Sequence, residues 1–504
     1  MFNNLKYYIE SFPLLSLILT PLIFIVFLLI FQYIKKFNFN IKDWMQQITM
    51  LGLLLTFAIS IYIWILFDKS YENYQFVQQF TLWIPFTLNF YLGLDGFSFF
   101  FIILITFLCP LCIIWSWDIY KNKLFFFVSF LFITFGLLIT FLVLDFFLFF
   151  FFFECLLIPM FLLIGILGGR FRRAKAAYFL AFYTILGSIL LLFGIILLWL
   201  EFGSTNLITL EYLDLPYKKQ VFIWCLLFFG FAVKIPLFPL HLWLPEAHVE
   251  APTIGSVILA AFLLKIGGYG IIRWVFMLFP FATFYMLPII NMFSILGVIY
   301  CALTAMRQID IKRIIAYSSV SHMNLGVLGS ISFNMQGLEG FVFLMLGHGL
   351  VSTSLFLLVG SLYDRFHTKL IYYFGGLCQI MPIFSIFFFF FNIANFSFPG
   401  TSNFIGELLL LVGIVKSNVF IFLLSGFGIL FGTCFSILLL NKVIFGTLKL
   451  KKTRLMTISL DLTRRETFVL TVITIYTILI GFYPSIILDN TYSSLKFILT
   501  KMLI

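Results

Sequence analysis

The sequence predicts an all-α, polytopic membrane protein of about fourteen transmembrane helices containing two inverted five-helix repeats, and three observations carry that prediction. Hydrophobic residues make up 63% of the 504 and charged residues only 10%, and the mean hydropathy is +1.14. No soluble globular domain has that composition. The apolar residues also fall into stretches of roughly 20, the helical length that crosses a bilayer. Finally, most of the 31 Lys and Arg sit in alternate, odd-numbered loops, the bias that orients a membrane protein.

In chain order, the first two spans lie near 12–34 and 46–67, with Lys35, Lys36 and Lys42 between them, and the third near 96–117. The fourth and fifth, near 123–143 and 146–168, form one apolar run about twice too long for a single crossing, so it divides at Asp145. The sixth, near 176–200, follows the basic stretch Arg170, Arg172, Arg173 and Lys175. The seventh, eighth and ninth lie near 219–240, 252–279 and 285–306. The remainder lie near 311–333, 338–362, 378–415, 420–446 and 466–488, with Lys449, Lys451, Lys452 and Arg454 before the last. Odd loops then face the cytoplasm or matrix and both termini face the other side. The formal charge of +11 lies in these loops, as a membrane surface requires, and calls for no nucleic-acid partner.

Two spans are interrupted. Pro236 and Pro239 follow Lys234 in the seventh, and neither proline can donate to the helix ladder. Asn392, Asn395, Pro399, Gly400 and Asn403 interrupt the twelfth. Broken helices at matching positions of inverted repeats point to an ion path. The chain therefore divides into 1–122 (spans one to three), 123–280 and 281–446 (the repeats, spans four to eight and nine to thirteen), and 447–504 (a basic loop and span fourteen). Spans one to three and fourteen are expected at the periphery.

Six titratable side chains fall near the middle of spans: Glu154 in the fifth, Lys234 in the seventh, Lys265 in the eighth, His322 in the tenth, His348 in the eleventh and Glu407 just after the break in the twelfth. An ionised group at that depth costs about 2.5–3.5 kcal/mol or more unless paired or hydrated, so such residues face one another or water. One of them alone reads as a structural ion pair; six at one depth read as a proton relay. Burial disfavours the charged form and a partner restores it, so a Glu154–Lys234 pair would hold both charges, and separating it would free the lysine's proton. Histidines titrate nearest neutrality and suit the intermediate stations. His241 and His248 flank a loop with Glu246 and Glu250, which reads as packing at a loop mouth rather than a metal site. The seven scattered cysteines have no metal-ligand or disulfide spacing, no phosphate-binding glycine loop is present, and no cofactor is expected. No cleavable signal or transit peptide is apparent. The 73 phenylalanines suggest an AT-rich genome, hence an organelle-encoded protein.

The runs AVKIPLFPLHLWLPEAHVEAPTIGSVILAAFLLKIGGYG, MRQIDIKRIIAYSSVSHMNLG, MLGHGLVSTSLFLLVGSLYDR and FPGTSNFIGE closely resemble the subunit 4 family of respiratory complex I, the proton-pumping NADH:quinone oxidoreductase. The resemblance covers roughly 90–445. It implies an antiporter-like fold with Glu154 and Lys234 as a coupled pair, Lys265 as the central relay, His322 and His348 beyond it, and Glu407 as the terminal exchange group. It implies that NADH, FMN, iron–sulfur clusters and quinone are used by other subunits, and that antiporter-like subunits 2 and 5 are neighbours in the mitochondrial inner membrane, or a bacterial plasma membrane. The competing reading is a cation/proton antiporter exchanging Na⁺ or K⁺ for protons. A passive scaffold would not need a lysine at mid-membrane.

Overall fold

A computed structural model describes residues 12–35, 44–81, 89–118, 122–169, 172–212, 215–449 and 461–503. The basic residues at 36–43, 170–171 and 450–460 lie outside this set. Helices dominate. Among the described residues, eleven helices are long and apolar enough to cross a membrane. They occupy Pro13–Tyr33, Trp44–Leu66, Gly96–Trp115, Lys123–Leu142, Phe146–Leu167, Arg173–Phe202, Thr253–Phe276, Pro280–Arg307, Met335–Phe366, Val419–Val443 and Arg464–Phe482. Asp145 stands where the long apolar run divides, capping the next helix by accepting from the Leu148 N–H.

Three expected spans miss that measure, two because they carry polar or charged residues and one because it is broken. Tyr217–Lys234 carries three lysines, Ile311–Ser330 carries Lys312, Arg313, His322 and four serines, and the twelfth is two short helices, Pro382–Asn395 and Ser402–Ser417. Ile311–Ser330 is nevertheless buried along almost its whole length. A polar helix buried in an apolar protein belongs to the interior of a bundle.

Met335–Phe366 is the axis of the molecule, its apolar window 100% buried, with Thr253–Phe276 (94%) and Gly96–Trp115 (83%) beside it. This corrects the expectation of a peripheral position for the third span alone, since the first two are only 28% and 33% buried. Phe97 and Phe101 of the third ring-pack with Tyr269 of the eighth, and Leu104 meets Gly349 of the eleventh. Phe97, Phe99, Phe100 and Phe101 are core.

Three further elements were not anticipated. An antiparallel hairpin pairs Gln75–Thr81 with Asn89–Leu94. A helix, Ser485–Leu503, follows the last apolar span, which ends at Phe482 ahead of Pro484. Residues Trp243–Glu250, expected in a loop, form a short and nearly fully buried helix after the break at Lys234. Its backbone amides and carbonyls must pair when they lie inside the protein, and helix is the local way to do so.

Candidate functional site: a buried row of ionisable side chains

The site begins at the first break. Tyr217–Lys234 stops at the lysine, and the chain turns through Pro236 and Pro239 before the short helix. The carbonyls released there find donors: Trp243 Nε1 donates to Val233 O at 2.9 Å and Asn324 Nδ2 to Pro236 O at 3.3 Å. Lys234 Nζ lies 3.8 Å from Glu154 Oε1 and 4.1 Å from the centre of the Phe153 ring. The ammonium is thus shared between a carboxylate and an aromatic face, both of which favour the charged form.

The eighth span crosses directly over this break. A Cβ on Gly267 would lie 3.2 Å from the Lys234 carbonyl carbon and 3.0 Å from the Ile235 nitrogen, so only glycine permits the approach. Lys265, half a turn earlier, is 1% exposed. It lies between two stretches of wider, π-type turns, Leu259–Leu263 and Ile271–Phe276. Such turns displace carbonyls from the regular ladder. The Ala260 carbonyl in the first of them accepts from Lys265 Nζ at 2.5 Å.

From Lys265 the row is continuous. Its Nζ is 3.0 Å from His348 Nδ1, the His348 and His322 rings are 5.7 Å apart at their centres, and His322 Nδ1 is 2.9 Å from Glu407 Oε1. Small residues enforce this geometry. A Cβ on Gly406 would meet the Leu344 backbone, one on Gly340 the Leu410 nitrogen at 2.7 Å, and one on Gly347 the Asn403 amide at 2.9 Å. Helices Met335–Phe366 and Ser402–Ser417 therefore touch backbone to backbone, which brings Glu407 up to the histidines.

The second break lies at 396–401, where Gly400 adopts a left-handed φ of 90° and Gly481 of the last apolar span presses on its carbonyl. Asn395, Ser321, His322 and Glu407 line a cavity of about 20 Å³, room for roughly one water. On its other side Glu407 borders an apolar groove of about 500 Å³ that opens outward beside Phe404 and Leu408.

The six residues singled out in the sequence thus form two contiguous groups, Glu154–Lys234 and Lys265–His348–His322–Glu407. Between them, among the described residues, no hydrogen bond joins Lys234 to Lys265; the link is the backbone crossing at Gly267. Pro236, Pro239, Pro399 and Gly400 all fall in the two breaks. Protons can pass along such a row by forming and breaking N–H and O–H bonds, with water bridging the longer steps.

One buried ion pair went unremarked in the sequence. Arg273, near the end of the eighth span, pairs with Asp95 and donates to the Tyr74 hydroxyl at 3.1 Å, tying the hairpin to the bundle. A fixed charge inside an apolar span was the available signal. His248 is fully buried and stacks on Phe356, whereas His241 packs among Phe238, Tyr300 and Tyr317. Among the described residues no three His, Cys, Asp or Glu side chains are grouped to hold a metal ion.

Similarity to known proteins bears on this geometry. The profile described as NADH:quinone oxidoreductase/Mrp antiporter, transmembrane, matches residues 143–436. The chain is 46% identical over 458 residues to NADH-ubiquinone oxidoreductase chain 4 of Arabidopsis thaliana, covering 90% of this chain and 91% of that one. It is 44% identical over 485 residues to the chain 4 of Chondrus crispus, covering 96% of each. In structure it is similar to a chain of respiratory complex I from Thermus thermophilus with bound NADH, with a TM-score of 0.85 and 25% identity over 97% of this chain and 99% of the other. A chain of the Mrp complex from Dietzia sp. DQ12-45-1b shares the fold, with a TM-score of 0.84 at 18% identity and the same coverage of both chains.

Proposed function

The chain belongs to the NADH:quinone oxidoreductase/Mrp antiporter family, and from that membership we propose how its buried row of charges carries protons. It is a proton-translocating, antiporter-like membrane subunit of NADH:ubiquinone oxidoreductase, an assembly of many subunits. The Arabidopsis thaliana and Chondrus crispus relatives, at 46% and 44% identity, are chains of the oxidoreductase, whereas the Mrp likeness speaks for the fold alone.

One observation carries the mechanistic reading: four side chains from four helices, Lys265, His348, His322 and Glu407, meet end to end inside the bundle. Lys265 serves as the central relay, the two histidines as stations, and Glu407 as the exchange group beside its small cavity. Glu154 and Lys234 form the switch. While paired, Lys234 keeps its proton; when Glu154 is drawn away, desolvation drives that proton toward Lys265. The Pro236–Pro239 and Pro399–Gly400 breaks leave backbone groups beside these side chains that can hold water.

The same reading has the chain cross the membrane about fourteen times, counting the three helices too polar or too short on composition alone. Units 123–280 and 281–446 form inverted repeats, flanked by 1–122 and 447–504. The chain binds no redox cofactor of its own, borders antiporter-like subunits 2 and 5 and membrane lipid, and resides in the mitochondrial inner membrane. Lys265→Met in the intact enzyme tests the relay: assembly persists while NADH:quinone turnover coupled to pumping falls at least about a hundredfold. An assembled variant that pumps normally would sink the relay.

A further inference from the structure

Tyr269 and Arg273 follow Lys265 on the eighth span, four and eight residues on, and the row uses neither. Both are 1% exposed. The Tyr269 ring sits in a cage of phenylalanines, its centre 5.1 Å from that of Phe97, 5.2 Å from Phe141, 6.2 Å from Phe149 and 6.5 Å from Phe101. The Arg273 guanidinium comes next, 5.3 Å from the ring centre of Tyr74, 5.5 Å from Phe97 and 5.4 Å from Tyr269. Anchoring the hairpin accounts for a buried ion pair here. It does not account for an arginine set into a hydrogen-bonded file that stops one helical turn from Lys265.

That file starts at the face where the even loops emerge. Glu211, in the sixth loop, accepts from Tyr74 Oη at 3.3 Å. Tyr74, at the foot of the hairpin in the second loop, accepts in turn from Arg273 Nη1 at 3.1 Å. Arg273 Nε donates to Tyr269 Oη at 3.4 Å, and Nη2 pairs with Asp95. Carboxylates and hydroxyls can both take and give a proton, so a file made only of them would connect Lys265 to the even-loop bath. The guanidinium breaks it. It presents five N–H donors and no acceptor, and it keeps its proton throughout. Its charge also repels an approaching proton, as an arginine does in a proton-excluding water pore. Lys265 Nζ meanwhile bonds to the Ala260 carbonyl and His348, away from this file.

We propose that Arg273, with the phenylalanine cage around Tyr269, is the seal that insulates Lys265 from the even-loop face. The proposal rests on the relay reading above. The cage excludes water, and the arginine interrupts the only hydrogen-bonded file described between that face and Tyr269. A proton on Lys265 is thereby committed to His348, and protons already delivered to the even-loop bath cannot return by this route. No bond is made or broken at the guanidinium; it works as a fixed charge that neither accepts nor releases a proton.

The test uses the intact enzyme in sealed vesicles, carrying Arg273→Met together with Asp95→Asn so that both charges leave at once. NADH oxidation should continue while the protons moved per NADH fall severalfold. With a pH gradient imposed and NADH withheld, proton backflow read by an enclosed pH-sensitive dye should rise severalfold over the parent. Adding Lys265→Met should return that backflow to the parental rate, because the leak runs through the lysine. Tyr269→Phe keeps the cage and removes a hydroxyl, so it should stay tight and pump as the parent does. An assembled double variant as tight as the parent overturns the seal, and so does a backflow that survives Lys265→Met. Lost pumping in Tyr269→Phe overturns it too, since the file would then be a route. If the double variant does not assemble, Arg273→Lys decides: it keeps a counter-charge for Asp95 but can release and retake a proton. That variant should leak, and a tight one overturns the seal. The relay reading fails separately, by native pumping in Lys265→Met alone.

Discussion

Lys234 has two partners of different kinds, and the difference defines what each mutation should do. The Phe153 face stabilises the ammonium wherever the carboxylate goes, whereas Glu154 at 3.8 Å is a partner that can move. Lys234→Ala should therefore lower coupled turnover severalfold in an assembled complex. A cycle of Glu154→Gln and Lys234→Met should show an interaction term of at least about 0.5 kcal/mol in turnover, the coupling of residues in contact. Additive losses would mean the two act independently and would end the switch. At the far end, His322 holds Glu407 at 2.9 Å. Glu407→Gln keeps the shape and removes the exchangeable proton, so it should lose far more activity than Glu407→Asp. Equal rates in the two variants would make shape, not protonation, the function of this residue. The six residues of the row stood out in the sequence because a charge inside an apolar span is costly unless paired or hydrated. Which of them touch was not legible, since their contacts join helices separated by up to 85 residues along the chain, as from His322 to Glu407.

The helices meet where glycine removes the Cβ. Gly267 against the Lys234 carbonyl and Gly406 against the Leu344 backbone hold the two halves of the row in register. Gly267→Val should force the eighth span off the break, at a cost of about 1–3 kcal/mol for overpacking. Its mark is a thermal transition of the assembled enzyme several degrees lower, with turnover reduced by displacement of Lys265. Unchanged stability would show that the crossing is loose. The break positions were readable from proline and asparagine chemistry. The segment after the first break was not: LWLPEAHVE reads as a loop because Pro245, Glu246, His248 and Glu250 fit neither an apolar span nor a lipid-facing helix. It is a helix because it is buried on nearly all sides, and Lys312 and Lys369 supply donors to the carbonyls of Ala251 and Val249 at its end. That end carries the negative pole of the helix dipole, where cations are favoured.

Across the whole molecule, the hairpin between the second and third spans is anchored by the buried Arg273–Asp95 pair, with Tyr74 and Tyr269 around the guanidinium. Asp95 also caps the third span, accepting from the Ser98 N–H at 2.9 Å. Arg273→Met would leave the aspartate buried without its counter-charge, a loss of about 3–5 kcal/mol. Native-gel yield of the assembled enzyme should drop sharply, and Asp95→Asn added to Arg273→Met should recover much of it. If the single variant assembles at the parental level, the pair is not what secures the hairpin.

Composition, apolar run length and the placement of lysine and arginine determined by themselves that this chain lives in a membrane, where its spans begin, and which side chains are too costly there to be idle. Those are consequences of transfer free energy, which each residue carries locally. Tertiary structure alone decided that the third span is core, that the residues after Lys234 coil again, that the six charges form two linked groups rather than one unbroken file, and that His248 is buried against Phe356. Each of these depends on which helices approach to backbone distance, and the approach is set by glycines and breaks acting together across the fold.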